Sequence, residues 1–135
     1  MMRPIKFRAW HKIENRMIEP VIELDFTKGY ERIRWYETMD DAMSGCISDE
    51  SMDNVELMQY TGLNDKNGKE IYERDIVKHK HAFSGGFGQV KYIVPCFGLR
   101  SLYEPSVSTD FEWTDFEEFE VIGNVHENTE MYLMK

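Results

Sequence analysis

From Val55 onward, apolar runs of strand length return at short intervals and are cut apart by glycine-containing turns, a pattern that leaves little room for long helices. Residues 55–60 read as one strand and residues 70–83 as another, long and bent. Residues 89–97 follow the turn SGGFG, a further strand is placed at 107–113, and FEVIGNV at 119–125 has the clearest strand pattern. Four or five short strands at this spacing predict a small barrel or sandwich rather than alternating βαβ units.

The first half is less regular. In IKFRAW, Ile5, Phe7 and Ala9 alternate with Lys6, Arg8 and Trp10, the period of a strand with one buried face. The polar run HKIENR places Asn15 in a turn, and MIEPVIEL forms the second arm of a hairpin. Pro20 cannot donate to a ladder, so its strand is an edge or bends there. YERIRWY, residues 30–36, predicts a further strand. Thr38 then caps a short helix, with Asp41 in the capping-box position. Trp35, Met39, Ala42 and Met43 share one face of that helix and are read as core packing. SDESMDN, residues 48–54, has no periodicity and is read as a solvated loop. The tail HENTEMYLMK predicts one helical turn capped by Asn128 or Thr129.

A chain of 135 residues lies within the size of one domain, and its 41% apolar and 13% aromatic content suits a single core rather than a disordered chain. The expected organisation is one compact unit, 1–135, with residues 1–54 as an N-terminal hairpin, strand and short helix and 55–135 as a β subdomain. Cys46 and Cys96 are too few for a disulfide framework and are expected as reduced, buried thiols. No apolar run reaches signal-peptide or membrane-helix length, which points to the cytoplasm.

The net charge of −9 opposes a simple phosphate-binding surface. Charge is nevertheless segregated: the net value is +3 over residues 1–20, −7 over 21–60, +3 over 61–100 and −8 over 101–135. Such alternating blocks can meet head to tail between copies, which predicts a homo-oligomer.

The stretch YTGLNDKNGKEIYERDIVK resembles an ion-binding loop in composition alone. A phosphate loop needs four residues between its glycines and a hydroxyl after the lysine, whereas five residues separate Gly62 from Gly68 and Glu70 follows Lys69. In the register of a calcium loop, Leu63 and Arg74 would fall on ligand positions. Asn67-Gly68 fits instead a tight hairpin turn with positive φ at both central residues, flanked by Lys66 and Lys69. SGGFGQV lacks the third glycine of a dinucleotide fingerprint and is read as a hairpin loop. His79 and His81 share a strand face but have no third ligand beside them in sequence, although His11, His126 or a carboxylate would complete a set. Neither a metal nor any other cofactor is expected. No serine, cysteine or threonine stands in a nucleophile motif, so a non-enzymatic role is expected.

Two candidate surfaces remain. DFEWTDFEEFE, residues 110–120, interleaves Phe111, Trp113, Phe116 and Phe119 with carboxylates including Glu112, Asp115, Glu117 and Glu118, and suits a basic partner or a mimic of nucleic-acid phosphates. Its bland alternative is a solvated edge whose aromatics point inward. Lys78, Lys80 and Lys91 with Tyr92, and Arg8 with Trp10, form the alternative of a local nucleic-acid-binding surface.

IKFRAW, Met17, LMQYTGL, DKNGKEIYE, DIVK, a glycine-rich turn before QVKY and the closing FEVIGNVHEN together resemble the YopX family of phage and prophage proteins, in blocks across nearly the whole chain. Arg74 stands where members of that family usually carry glycine before DIVK, so the entry to that strand is expected to differ. The resemblance implies a mainly β fold with minor helix, namely a small SH3-like barrel in the C-terminal part with the N-terminal hairpin and short helical segment packed on it. It brings no catalytic residues. The implied function is an accessory protein of the host-cell cytoplasm. The resemblance carries no established activity, and the role expected for this chain is that of an interaction module that self-associates and binds a host or phage protein, with no membrane partner. The alternatives are a nucleic-acid-binding small barrel and an acidic mimic. The turn at Lys66 and Lys69 can serve as a recognition loop.

Overall fold

The computed structural model describes residues 4–78, 87–93, 96–101, 108–110 and 119–128, with the backbone alone for 93, 96–101 and 108–110. The chain is mainly β, with one short α-helix among the described residues. Residues 4–59 form one compact unit, and the described residues from 60 onward form a second.

In the first unit, β1 (Phe7–His11) pairs antiparallel with β2 (Arg16–Val21) and, on its other edge, with the first half of β6 (Val55–Asn64). Asn15 closes the β1–β2 hairpin with φ 53°, its N–H donating to the His11 carbonyl at 2.8 Å. That left-handed conformation suits asparagine better than most side chains. β2 is an edge strand, as Pro20 requires. The register slips between Phe7↔Val21 and Ala9↔Ile18, so Glu19-Pro20 lies within a bulge. Ala9, Ile18, Ile33, Trp35 and Val55 make the buried cluster, with Val21, Leu24, Met52 and Leu57 packed against it. Each large aliphatic chain buried here contributes about 1.5–3 kcal/mol.

Two details of β1 depart from simple alternation. Ile5 precedes the strand and is 66% exposed, while Arg8, on the face opposite Ala9, is buried. A strand paired on both edges is covered more fully than a half-solvated one, so polar positions are enclosed too.

MIEPVIEL does not form one arm. It divides at Ile22 into β2 and β3 (Glu23–Asp25), and β3 joins β4 (Arg32–Trp35) and β5 (Ser48–Ser51) in a three-stranded antiparallel sheet. β5, continued by a 3-10 turn over Met52–Asn54, occupies the stretch expected as a loop. Its missing apolar period has a physical cause, since β5 is an edge held by backbone pairing and by charge. Asp49 takes Arg32 and, at 2.9 Å, Arg34; Arg34 also reaches Glu23 at 3.0 Å and Asp25 at 3.2 Å.

The helix α1 (Met39–Ser44) starts as its sequence predicts: the Thr38 hydroxyl accepts the Asp41 N–H at 3.1 Å. It ends at Gly45, φ 77°, where the N–H groups of Gly45 and Cys46 both reach the Asp41 carbonyl. Its packing is the opposite of that expected. None of its residues is buried, Met39 and Met43 are 77% and 81% exposed, and Trp35 belongs to β4. Six residues present too short a stripe to reach the core cluster. Cys46 is likewise free and exposed rather than buried.

In the second unit, β8 (Asp75–Lys78), β9 (Phe87–Ile93), β10 (Cys96–Ser101) and β11 (Ser108–Asp110) pair in sequence, and β12 (Glu120–Asn124) pairs with the other edge of β8. Ile71, Val77, Val90 and Phe119 form the core, with Leu63 and Val121 against it. The run 89–97 is therefore not one strand, since Ile93 at the end of β9 pairs antiparallel with Cys96 at the start of β10. The long strand expected over 70–83 is also divided, into β7 (Glu70–Tyr72) and β8, at a turn where Arg74 has φ 71°. Arg74 thus adopts, at some strain, a conformation that a glycine would enter freely. Its N–H donates to the Val90 carbonyl and its carbonyl accepts from Val125, both at 2.9 Å.

Candidate interaction surface

Met39, one of the two exposed methionines of α1, lines a groove of about 300 Å³ together with Pro20, Ile22, Tyr36, Glu37, Thr38 and Ala42. Its construction follows from three local features. Pro20 and Ile22 sit where the chain leaves the edge strand β2, Tyr36 to Thr38 carry the chain out of β4, and the Thr38 cap turns it into α1. Ile22 is 43% exposed, its N–H held by the Arg34 carbonyl at 2.9 Å. Large apolar side chains remain in solvent at this place.

The polar rim is ordered. Arg16 grips Glu37 through two hydrogen bonds, 2.5 and 3.1 Å, and Glu14 at 2.6 Å, and its guanidinium stands 5.9 Å from the centre of the Trp35 ring. Trp35 Nε1–H donates to Glu37 at 2.9 Å. Arg16 holds the Glu37 carboxyl below the usual range, burial opposes this, and Trp35 adds to it. The charge of Glu37 is therefore matched, whereas Glu19 and Asp40 make no ion pair among the described residues.

A buried histidine meets a carboxylate in the first unit. His11 is 3% exposed, and its Nδ1 accepts from the N–H groups of Ile13 and Glu14 at 3.3 and 3.1 Å. That assigns the hydrogen to Nε2, which donates to Glu50 at 2.9 Å. Glu50 also accepts from Asn54 Nδ2 and the Ser51 N–H, and Asn54 leads the causes that hold its carboxyl at about 2, followed by Ser51 and His11. With both ring nitrogens occupied, the pair fastens the β1–β2 turn to β5.

In the second unit the loop between β6 and β7 is built around Asp65. Gly68 N–H donates to the Asp65 carbonyl at 3.0 Å and Asp65 N–H to the Lys69 carbonyl at 2.7 Å, which makes a three-residue hairpin loop, 66–68. Gly68 alone, φ 82°, is left-handed, so the two-residue turn with positive φ at Asn67 is corrected. The Asp65 carboxylate is buried and accepts three backbone N–H groups: Asn67 at 2.8 Å, Lys69 at 2.9 Å and, from β12, Val121 at 2.9 Å. Burial pushes its carboxyl up, but the amides of Val121, Lys69 and Asn67 together outweigh burial and leave it below the ordinary value.

Lys66 and Lys78 both flank Glu120. Lys66 Nζ lies 3.8 Å from its carboxylate, and Lys78 is its partner across the β8–β12 ladder. Lys69 follows the loop and is exposed. Lys91 and Tyr92 lie further along β9, where successive side chains point to opposite faces, and border a cavity of about 140 Å³ with Glu73, Arg74 and Val90. Tyr92 is 53% exposed. Arg8 is buried, which removes it from any basic surface. Lys80, Phe111, Glu112, Trp113, Asp115, Phe116, Glu117, Glu118, His79 and His81 lie outside the described residues, and Phe119 is buried in the core. Among the described residues, no three histidines, cysteines or carboxylates gather as a metal site, and no helix is long and apolar enough to cross a membrane.

The sequence reading missed the methionine surface and Asp65. Signals for both were present, in a helix of six residues bounded by Thr38 and Gly45 and in an aspartate three residues before a turn glycine.

Residues 6–133 match the family model described as YopX protein. Among solved structures, the chain is similar to protein EF1440 from Enterococcus faecalis, with 26% identity, 97% of this chain and 99% of that one covered, and a TM-score of 0.67. It shares the fold of protein yopX from Bacillus subtilis, with 23% identity, 96% and 98% covered, and a TM-score of 0.58. No curated protein matches. A family match over nearly the whole length places the chain: it belongs to the YopX family.

Proposed function

We propose that this chain is a non-enzymatic protein-interaction module, an accessory protein of phage or prophage growth in the host cytoplasm that self-associates and binds a host or phage protein. The observation that carries this reading is the apolar surface at α1, where the exposed Met39 and Ile22 line a groove and Met43 stands exposed one turn along the same helix, in a chain of net charge −9. Large exposed apolar side chains gathered at one place mark interaction sites, and methionine adapts to varied partners. Alternating charge blocks support self-association. The second unit supports an SH3-like barrel, since a four-strand meander is followed by a strand that returns to the free edge of the first.

Affinity purification from phage-carrying cells with the wild type and with Met39→Glu/Met43→Glu tests the reading. Partners are expected to be recovered by the wild type and lost by the variant, and an identical set from both overturns it. Sedimentation equilibrium at low salt tests self-association, which a monomer at high concentration refutes. Lys66 and Lys78 beside Glu120, the exposed Lys69 after the loop, and Lys91 and Tyr92 on β9 favour nucleic-acid binding as a second reading. Absence of a mobility shift with single-stranded DNA or RNA at about 50 mM salt disposes of it.

A further inference from the structure

We infer that the groove between the Pro20–Ile22 segment and α1 docks a short amphipathic segment of another protein, with bulky apolar side chains flanked by lysine or arginine. This rests on the interaction reading above and names the chemistry of the partner. Three observations carry it. The groove, about 300 Å³, has room for one or two large side chains and is lined by Ile22, Tyr36, Met39 and Ala42. The acids next to the lining residues in the chain have one sign and make no ion pair among the described residues: Glu19 precedes Pro20, and Asp40 and Asp41 stand between Met39 and Ala42. By contrast, Arg16 is already engaged by Glu37 and Glu14. Pro20 has no N–H to offer and lies in a bulge of the edge strand β2, so a partner anchored by side chains fits this place better than an added strand. Complementary charge would steer and orient the segment, and the apolar anchors would hold it.

The test uses the full chain and three synthetic peptides: an amphipathic leucine–lysine peptide, its leucine–glutamate counterpart and a lysine–serine peptide. Fluorescence anisotropy is expected to show binding of the leucine–lysine peptide at least about tenfold tighter than either control, weakening as salt rises from about 50 to about 300 mM. Met39→Ser/Met43→Ser should lose that binding. Both residues are exposed, so an unchanged urea midpoint will show that the variant is folded. Absence of binding, or binding unchanged in the variant, overturns the inference. Equal or tighter binding of the leucine–glutamate peptide, lost in the variant, overturns the basic partner yet leaves the surface as an interaction site. The purification described above addresses that wider reading separately.

Discussion

Replacing Asp65 with asparagine separates the charge of this side chain from its shape. The carboxylate is buried and accepts three backbone N–H groups, at 2.8, 2.9 and 2.9 Å, one of them from Val121 far along the chain. Asparagine can keep one oxygen toward Asn67 and Lys69, but its amide group then faces the Val121 N–H, donor against donor. Losing a hydrogen bond to a charged group costs about 1.5–3 kcal/mol, and the two retained bonds fall to roughly half strength. Asn67 and Lys69 are exposed and recover part of this from water, which sets the expected loss at about 2–4 kcal/mol. Urea unfolding at neutral pH measures it, and amide exchange should speed up at Val121. The sign with pH follows from the depressed carboxyl. Stability from Asp65 is present above the ordinary value of 3.8 and is lost as pH falls through the lower folded value. The gap between wild type and Asp65→Asn should therefore narrow in acid below the ordinary value. A loss under about 0.5 kcal/mol, or a gap that widens in acid, refutes the idea that this carboxylate joins the loop to β12.

Arg74→Gly should be neutral or stabilising by up to about 1 kcal/mol, because it relieves a left-handed residue while adding freedom to the unfolded chain, whereas Arg74→Val should destabilise. Thermal unfolding of both variants gives the comparison, and a large loss with glycine would show that the arginine side chain matters more than its φ. At Gly123, an added Cβ would lie 2.1 Å from Asn128 Oδ1, which accepts the Asn124 N–H at 3.1 Å. Gly123→Ala should thus cost about 1 kcal/mol, and much less in an Asn128→Ala background, as a double-mutant cycle will report. Glu50→Gln should flatten the acid limb of stability between the ordinary 4.5 and about 2, since the carboxylate contributes fully above 4.5 and loses that contribution on protonation. A pH series of urea midpoints decides this.

Much of the local structure was legible in sequence because its signals act over a few residues. Thr38 begins α1, Asn15 closes the first hairpin, and Pro20 lies on an edge, each for a reason contained in one side chain. Strand divisions were not, because a turn such as Glu73-Arg74 carries no glycine to announce it, and β5 draws its order from pairing with β4 rather than from an apolar period. The exposure of Met39 and Met43 was also hidden. Helical spacing says that they share a face, but not whether anything covers it.

The sequence by itself determined a β-rich chain, the turn at Asn15, the Thr38 cap, and membership of a family recognised by residues spread from one end to the other. Those features arise from backbone preferences and short-range hydrogen bonds, which depend on neighbours in the chain. Tertiary structure alone decided that Asp65 holds an amide 56 residues away, that His11 is locked by Glu50, and that a short helix leaves its methionines in water. Each outcome depends on which distant group arrives beside the side chain, and burial and pairing are settled there.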